Sequence, residues 1–268
     1  MIDSPERMIE TIRSFGVIPF FKNAVPGWSI EDLTDPGCWF TSSEELGPWD
    51  WKIEAVREGD IAYGKFLGGK AAFATVDWYR HLMNWRRSQA KYRVALGEKF
   101  TAKSSSEKLM KHFSPIVLSA IEEAGALEAK EIREICSAAV TPGLLKALGA
   151  KYKPLLSPTV KKNIVDSVIG FLQMGTWTVI GDFRRVYRGA NLEYSGWQRA
   201  SNTTPDALFG SATPDDDAPS WARHIEDCPS ESKTAADYTP AESLAILRTH
   251  LQTICGSDFS KEIEKMLV

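Results

Sequence analysis

The sequence predicts an α+β fold on three observations. Paired glycines, Gly68-Gly69, split IAYGKFLGGKAAFATV into two strand-like runs. Such a pair tolerates the positive φ of a tight hairpin turn. Serine–proline pairs and single glycines punctuate the stretch from Ser114 to Gly175 in the manner of helix caps. A second alternating pair, TWTVIGDF and EYSGWQRAS, flanks a polar turn at Arg188-Gly189-Ala190-Asn191. The 268 residues, 43% of them hydrophobic, suffice for a sizeable core in one large domain or two small ones.

Composition divides the chain into three regions. Residues 1–100 form a Trp-rich α+β region with Trp28, Trp39, Trp49, Trp51, Trp78 and Trp85. Here Ser42 with Glu45 resembles a capping box, the Gly68-Gly69 hairpin follows, and DWYRHLMNWRR reads as a helix. Arg86 and Arg87 fall near its end, where cations favour the helix dipole. Residues 101–210 hold helices followed by a hairpin. Ser114-Pro115 opens a helix that stops at Gly125, EAKEIREICSAA supplies a second with Ile132, Ile135 and Cys136 on one side, and Ser157-Pro158 opens a third through Met174. Helix, short extended link, helix, helix, hairpin is the order of a winged helix-turn-helix; the inter-helix segment Val140–Leu156 is long for that pattern. Residues 211–268 comprise an acidic linker and C-terminal helices.

On the third helix, Val160, Ile164, Val165, Val168, Ile169, Phe171 and Leu172 share one half of the wheel. Lys162, Asn163, Asp166, Ser167, Gly170 and Gln173 occupy the other, with Lys161 snorkelling outward. From 151 to 200, eight basic residues (Lys151, Lys153, Lys161, Lys162, Arg184, Arg185, Arg188, Arg199) face three acidic ones (Asp166, Asp182, Glu193), a net +5. From 201 to 240, eight acids face Arg223 and Lys233, a net −6. A chain of overall charge −3 therefore has one local cationic face. Lys161, Lys162, Arg184, Arg185 and Arg188 are candidate phosphate contacts, Gln173 a further DNA contact, and Asn163 a candidate reader of a base edge. Two alternatives stay open: an ordinary solvated hairpin tip, and an acidic segment lying across the basic face.

Other chemistries find no motif. Cys38, Cys136, Cys228 and Cys255 stand far apart, as reduced thiols in cytoplasm would. The scattered His81, His112, His224 and His250 suggest no metal site. His112 near Ser114 lacks a G-x-S-x-G elbow, and GKFLGGK lacks the ending of a phosphate-binding loop. No cofactor is expected. MIDSPERMIE does not read as a signal peptide, and no apolar run approaches the roughly 20 residues of a membrane span. The expected location is cytoplasmic and the expected partner double-stranded DNA, with no membrane; oligomeric state is not legible.

Four segments, FFKNAVPGWSIEDLT, GPWDWKIEAVREGDIAYGKFLGGKAAFATVDWY, FLQMGTWTVIGDF and GWQRASNTTPDALFG, resemble the AlkZ-related bacterial proteins. That group is distantly tied to winged-helix DNA glycosylases that unhook alkylated bases and crosslinks. The resemblance covers most of residues 15–210 and implies DNA binding in repair of, or protection from, alkylation. One feature departs from the glycosylases, whose glutamine-x-glutamine or glutamine-x-aspartate motif positions water. Gln173-Met174-Gly175 begins that motif but ends in glycine, and Gln89, Gln198 and Gln252 do not complete it.

Base excision needs a flipped nucleotide, apolar or aromatic walls and a polar group to orient water. Trp49-Asp50-Trp51-Lys52, read as a strand or an irregular loop, is the cluster closest to that requirement. Asp50 or Glu54 is the candidate general base, Lys52 and Lys65 candidate phosphate holders, and Trp49 and Trp51 candidate base contacts. The competing reading makes the tryptophans core residues and Asp50–Lys52 a surface pair worth little. A non-enzymatic regulator, and a small-ligand protein using the winged helix only for packing, are the alternative functions.

Overall fold

A computed structural model describes residues 1–39, 46–160, 163–210 and 235–267. The fold is α+β. Helix α1 (Pro5–Phe15), capped by Ser4, leads into strand β1 (Val17–Pro19). Helix α2 (Pro48–Arg57) precedes the hairpin β2 (Ile61–Leu67) and β3 (Lys70–Thr75), and α3 (Val76–Arg87) and the short α4 (Ala90–Arg93) follow. The sheet order is β1-β3-β2, all antiparallel. Gly68 and Gly69 form its two-residue turn with φ of 57° and 76°, values open to glycine at little cost. The capping box expected at Ser42 and Glu45 lies outside the described residues.

The central region begins with α5 (Ser105–Ala124), then β4 (Leu127–Glu128), α6 (Ala129–Ala138), α7 (Pro142–Leu148), a 3₁₀ segment (Ala150–Leu156) and α8 (Val165–Met174). The long hairpin β5 (Val179–Arg188) and β6 (Glu193–Thr203) completes it, and the sheet order is β4-β6-β5. Two helix starts differ from expectation. Helix α5 opens at Ser104, whose hydroxyl accepts from the Glu107 N–H while the Glu107 carboxylate returns the bond, and it continues through Pro115. An internal proline costs about 3 kcal/mol, but Leu109, Phe113, Val117 and Ile121 bury one continuous stripe that outweighs it. Helix α8 starts only at Val165, and Ser157 instead caps the end of the 3₁₀ segment. Asn163 then ties the turn together, donating to the Ser157 carbonyl and accepting from the Val165 N–H. The glycine stop at Gly125 is present, with φ of 78°.

Short α9 (Pro205–Phe209) follows β6, and the chain ends in α10 (Pro240–Cys255) and α11 (Ser260–Leu267). Two apolar clusters hold the molecule together. The first gathers α1, sheet β1-β3-β2, α3, α10 and α11 around Met8, Phe20, Trp28, Phe73, Tyr79 and Leu247, and also takes Val179, Ile180 and Phe183 from β5. The second lies among α5 to α8, around Phe113, Ile132, Leu144, Val168 and Leu172.

Arg86 is not a solvated helix-end cation. It is fully buried, and its guanidinium donates to the carbonyls of Phe66, Met174, Met266 and Leu267. Arg87 donates twice to the Thr176 carbonyl and lies over the Trp177 ring. Thr176 has a φ of 58°, so that pair of bonds steadies the strained turn between α8 and β5.

Candidate nucleic-acid interface

Trp49–Lys52 lies on helix α2, not on a strand or loop, with Gly47 as N-cap and Pro48 in the first turn. On a helix Asp50 and Glu54 are one turn apart and share a face. That face meets the turn-proximal half of the β5–β6 hairpin. Asp50 Oδ1 accepts from the Tyr194 hydroxyl at 2.6 Å and from Gln198 Nε2 at 2.8 Å, and Arg185 Nε approaches it to 3.6 Å. Arg185 also lies 3.8 Å from Glu54. Glu54 Oε2, Arg185 Nε and Gln198 Oε1 are buried without a hydrogen-bond partner. Such atoms are rare in folded proteins and call for an explanation.

Burial lifts the Glu54 carboxyl above its ordinary range, against the pull of Arg185 and with help from Asp50. Lys52 is 2% exposed and is no surface ion-pair member. Its ammonium donates to the Trp49 carbonyl and sits 3.6 Å from the Trp49 ring centroid, with Phe183 at 5.1 Å. Burial pulls its pKa down to about 7, with Asp50 opposing and Arg185 reinforcing. Lys52 therefore cannot hold a phosphate where it lies. Trp51 is buried in the first cluster and is equally withdrawn from any base. Trp49 is half-buried and donates to the Gly196 carbonyl, which fastens α2 to β6. Lys65 is exposed on β2 and its side chain takes no part in this cluster.

The remaining candidates separate. Lys161 and Lys162 lie outside the described residues. Asn163 and Gln173 are both buried, which corrects their assignment to base and phosphate. Asn163 is spent on the turn before α8. Gln173 accepts from the Lys65 N–H at 2.9 Å and donates to Asn202 at 2.8 Å, bridging the two sheets. Arg184 is bonded to Glu128, which also lies 3.6 Å from Arg199, and Arg185 is held by Asp50 and Glu54. Arg188 alone of the three hairpin arginines expected to bind is exposed with no ion pair among the described residues.

Sequence reasoning missed the residues around Arg188. Tyr187, Leu192 and Trp197 are 52%, 70% and 62% exposed at the outer part of the same hairpin. It also missed Tyr194 and Gln198, although alternation along EYSGWQRAS sets both on one face. Among the described residues no helix is long and apolar enough to cross a membrane, and no three His, Cys, Asp or Glu side chains group to hold a metal.

No curated protein and no solved structure matches the chain significantly. The profile of the family described as AlkZ related matches residues 2–268. The chain therefore belongs to the AlkZ-related family.

Proposed function

We propose that this protein binds double-stranded DNA through a winged-helix region and acts in the repair of, or protection from, alkylated DNA. The observation that carries the reading is the outer part of the β5–β6 hairpin. Exposed Tyr187 and Leu192 stand close to Arg188, which has no ion pair among the described residues, and exposed Trp197 lies further along β6, beside Gln198. Aromatic and apolar side chains that fill no core are costly in water and suit insertion between bases, while a neighbouring guanidinium suits phosphate. The sheet order β4-β6-β5, fed by α5, α6 and α8, agrees with winged-helix topology. Family membership points the same way.

Catalysis in this reading belongs to the α2–hairpin cluster. Asp50 is occupied by Tyr194, Gln198 and Arg185 and serves to position the cluster. Glu54 has a buried, unbonded oxygen and a raised pKa, the properties of a general base able to take a proton from water. The test is incubation with alkylated duplex followed by an assay for abasic sites. Activity is expected in the native chain and a loss of at least about 100-fold in Glu54→Gln, the usual worth of a general base. Full activity in that variant removes Glu54 from the chemistry. Duplex binding without abasic sites moves the protein to the non-enzymatic reading of a regulator or interaction module.

A further inference from the structure

We infer that a second surface, a lysine edge on α5, α7 and the 3₁₀ segment, is the phosphate-tracking face of the protein and lies along the backbone of duplex DNA. Two lysine-to-carbonyl hydrogen bonds assemble it. Lys111 donates from α5 to the Phe100 carbonyl at 2.7 Å, next in sequence to Lys99. Lys108, one turn earlier on α5, donates to the Ala147 carbonyl at 3.3 Å, next in sequence to Lys146. The chain turns at Gly149 into the segment carrying Lys151 and Lys153. Lys99, Lys111, Lys146, Lys151 and Lys153 are exposed, and Lys108 is half-buried.

What sets this edge apart is its lack of counter-charge. Residues 139–160 contain three lysines and no acid. Residues 99–121 contain one acid, Glu107, which is taken up by the Lys103 and Ser104 N–H groups at the helix cap. None of the six lysines has an ion pair among the described residues; the nearest pairs in sequence are Arg93–Glu98 and Lys130–Glu134. On the hairpin, by contrast, Arg184 and Arg185 already face the chain's own carboxylates. Phosphate binding draws its free energy from releasing counterions condensed on DNA, and only a cation not already neutralised supplies it. Ammonium groups on long stems bind phosphate without regard to base sequence. The edge would thus hold and scan the duplex while the hairpin tip tests individual base steps.

This inference rests on DNA being the ligand, and its test separates the two. Affinity for an undamaged duplex is measured across salt concentrations for the native chain, for Lys99→Gln/Lys146→Gln/Lys151→Gln/Lys153→Gln, and for Trp197→Ala. The four lysines of this variant are exposed and bond no carbonyl among the described residues, so folding is spared; Lys108→Gln/Lys111→Gln is a separate variant because those side chains bond carbonyls. The quadruple variant is expected to reduce the slope of log K against log salt by about 3 to 4, close to 0.9 for each phosphate no longer neutralised. Trp197→Ala is expected to lose affinity and keep the slope. A quadruple variant with the native slope overturns the lysine edge and leaves DNA binding standing. No duplex binding by the native chain at low salt overturns both, and so does capture by phosphatidylserine vesicles in its place.

Discussion

Lys52 shows how one buried charge writes a pH dependence into the whole molecule. Water is replaced around its ammonium by the Trp49, Phe183 and Phe20 rings and a single carbonyl bond, to Trp49. The folded chain therefore releases this proton near pH 7, whereas an unfolded lysine keeps it to about 10.5. Between those values the unfolded state binds more protons, so stability rises with pH by up to about 1.4 kcal/mol per unit. Below pH 7 both states are charged and this contribution to the slope disappears. Lys52→Met is expected to flatten the rise in urea midpoint between pH 7 and 9 and to stabilise the fold at pH 6. An unchanged slope would mean that water reaches the ammonium. Arg86 behaves oppositely, since a guanidinium does not discharge near neutrality and must be satisfied instead. Its four carbonyl acceptors come from β2, the end of α8 and α11. Arg86→Met removes this donor from all four, Met266 alone keeping the Gly68 N–H as a stated second donor, and a loss of at least about 3 kcal/mol in urea unfolding is expected. Arg86→Lys should not restore it, because an ammonium lacks the planar fork that spans these separate segments.

Among the elements, the hairpins were the most legible, because a positive φ leaves a signature in residue type: glycine at 68, 69 and 189. Stop signals such as Gly125 were legible for the same reason. Helix starts were less so. Ser114-Pro115 and Ser157-Pro158 carry the right residues, yet Ser104 with Glu107 makes a reciprocal cap and a buried stripe carries α5 across its proline. Helix α2 was hidden because W-D-W-K alternates like a strand, while its polar members are buried by tertiary packing that no local pattern reports. The same blindness hid the role of Gln173. Seen on a wheel it lies on the polar face of α8, and only the approach of β2 and β6 turns that face inward. Gln173→Leu is expected to leave the Lys65 N–H and Asn202 Oδ1 without these partners and to cost about 1 to 3 kcal/mol for each group so stranded. Its duplex affinity, normalised to folded protein, should keep the native salt slope; a slope shallower by about 0.9 would restore Gln173 as a phosphate ligand.

Across the whole molecule, the C-terminal helices decide whether the first core exists. Leu244, Leu247 and Leu251 of α10 and Ile263, Met266 and Leu267 of α11 are buried with residues of α1, β2 and α3. The Met266 carbonyl accepts from the Gly68 N–H at the hairpin turn, and His250 stacks on Trp78 with ring centroids 3.5 Å apart while bonding the Phe15 carbonyl. Burying six such side chains is worth on the order of 10 kcal/mol, comparable with the entire stability of an ordinary domain. Arg86 would lose two of its four acceptors with them. A chain ending at residue 239 is therefore expected to lose the cooperative unfolding transition reported by the tryptophans of the first region, Trp28, Trp51 and Trp78. Far-ultraviolet circular dichroism should still find helix if the second cluster, which takes no residue from α10 or α11, folds without them. A truncated chain with a sharp tryptophan transition near the native midpoint would show that α10 and α11 decorate a core that is already complete.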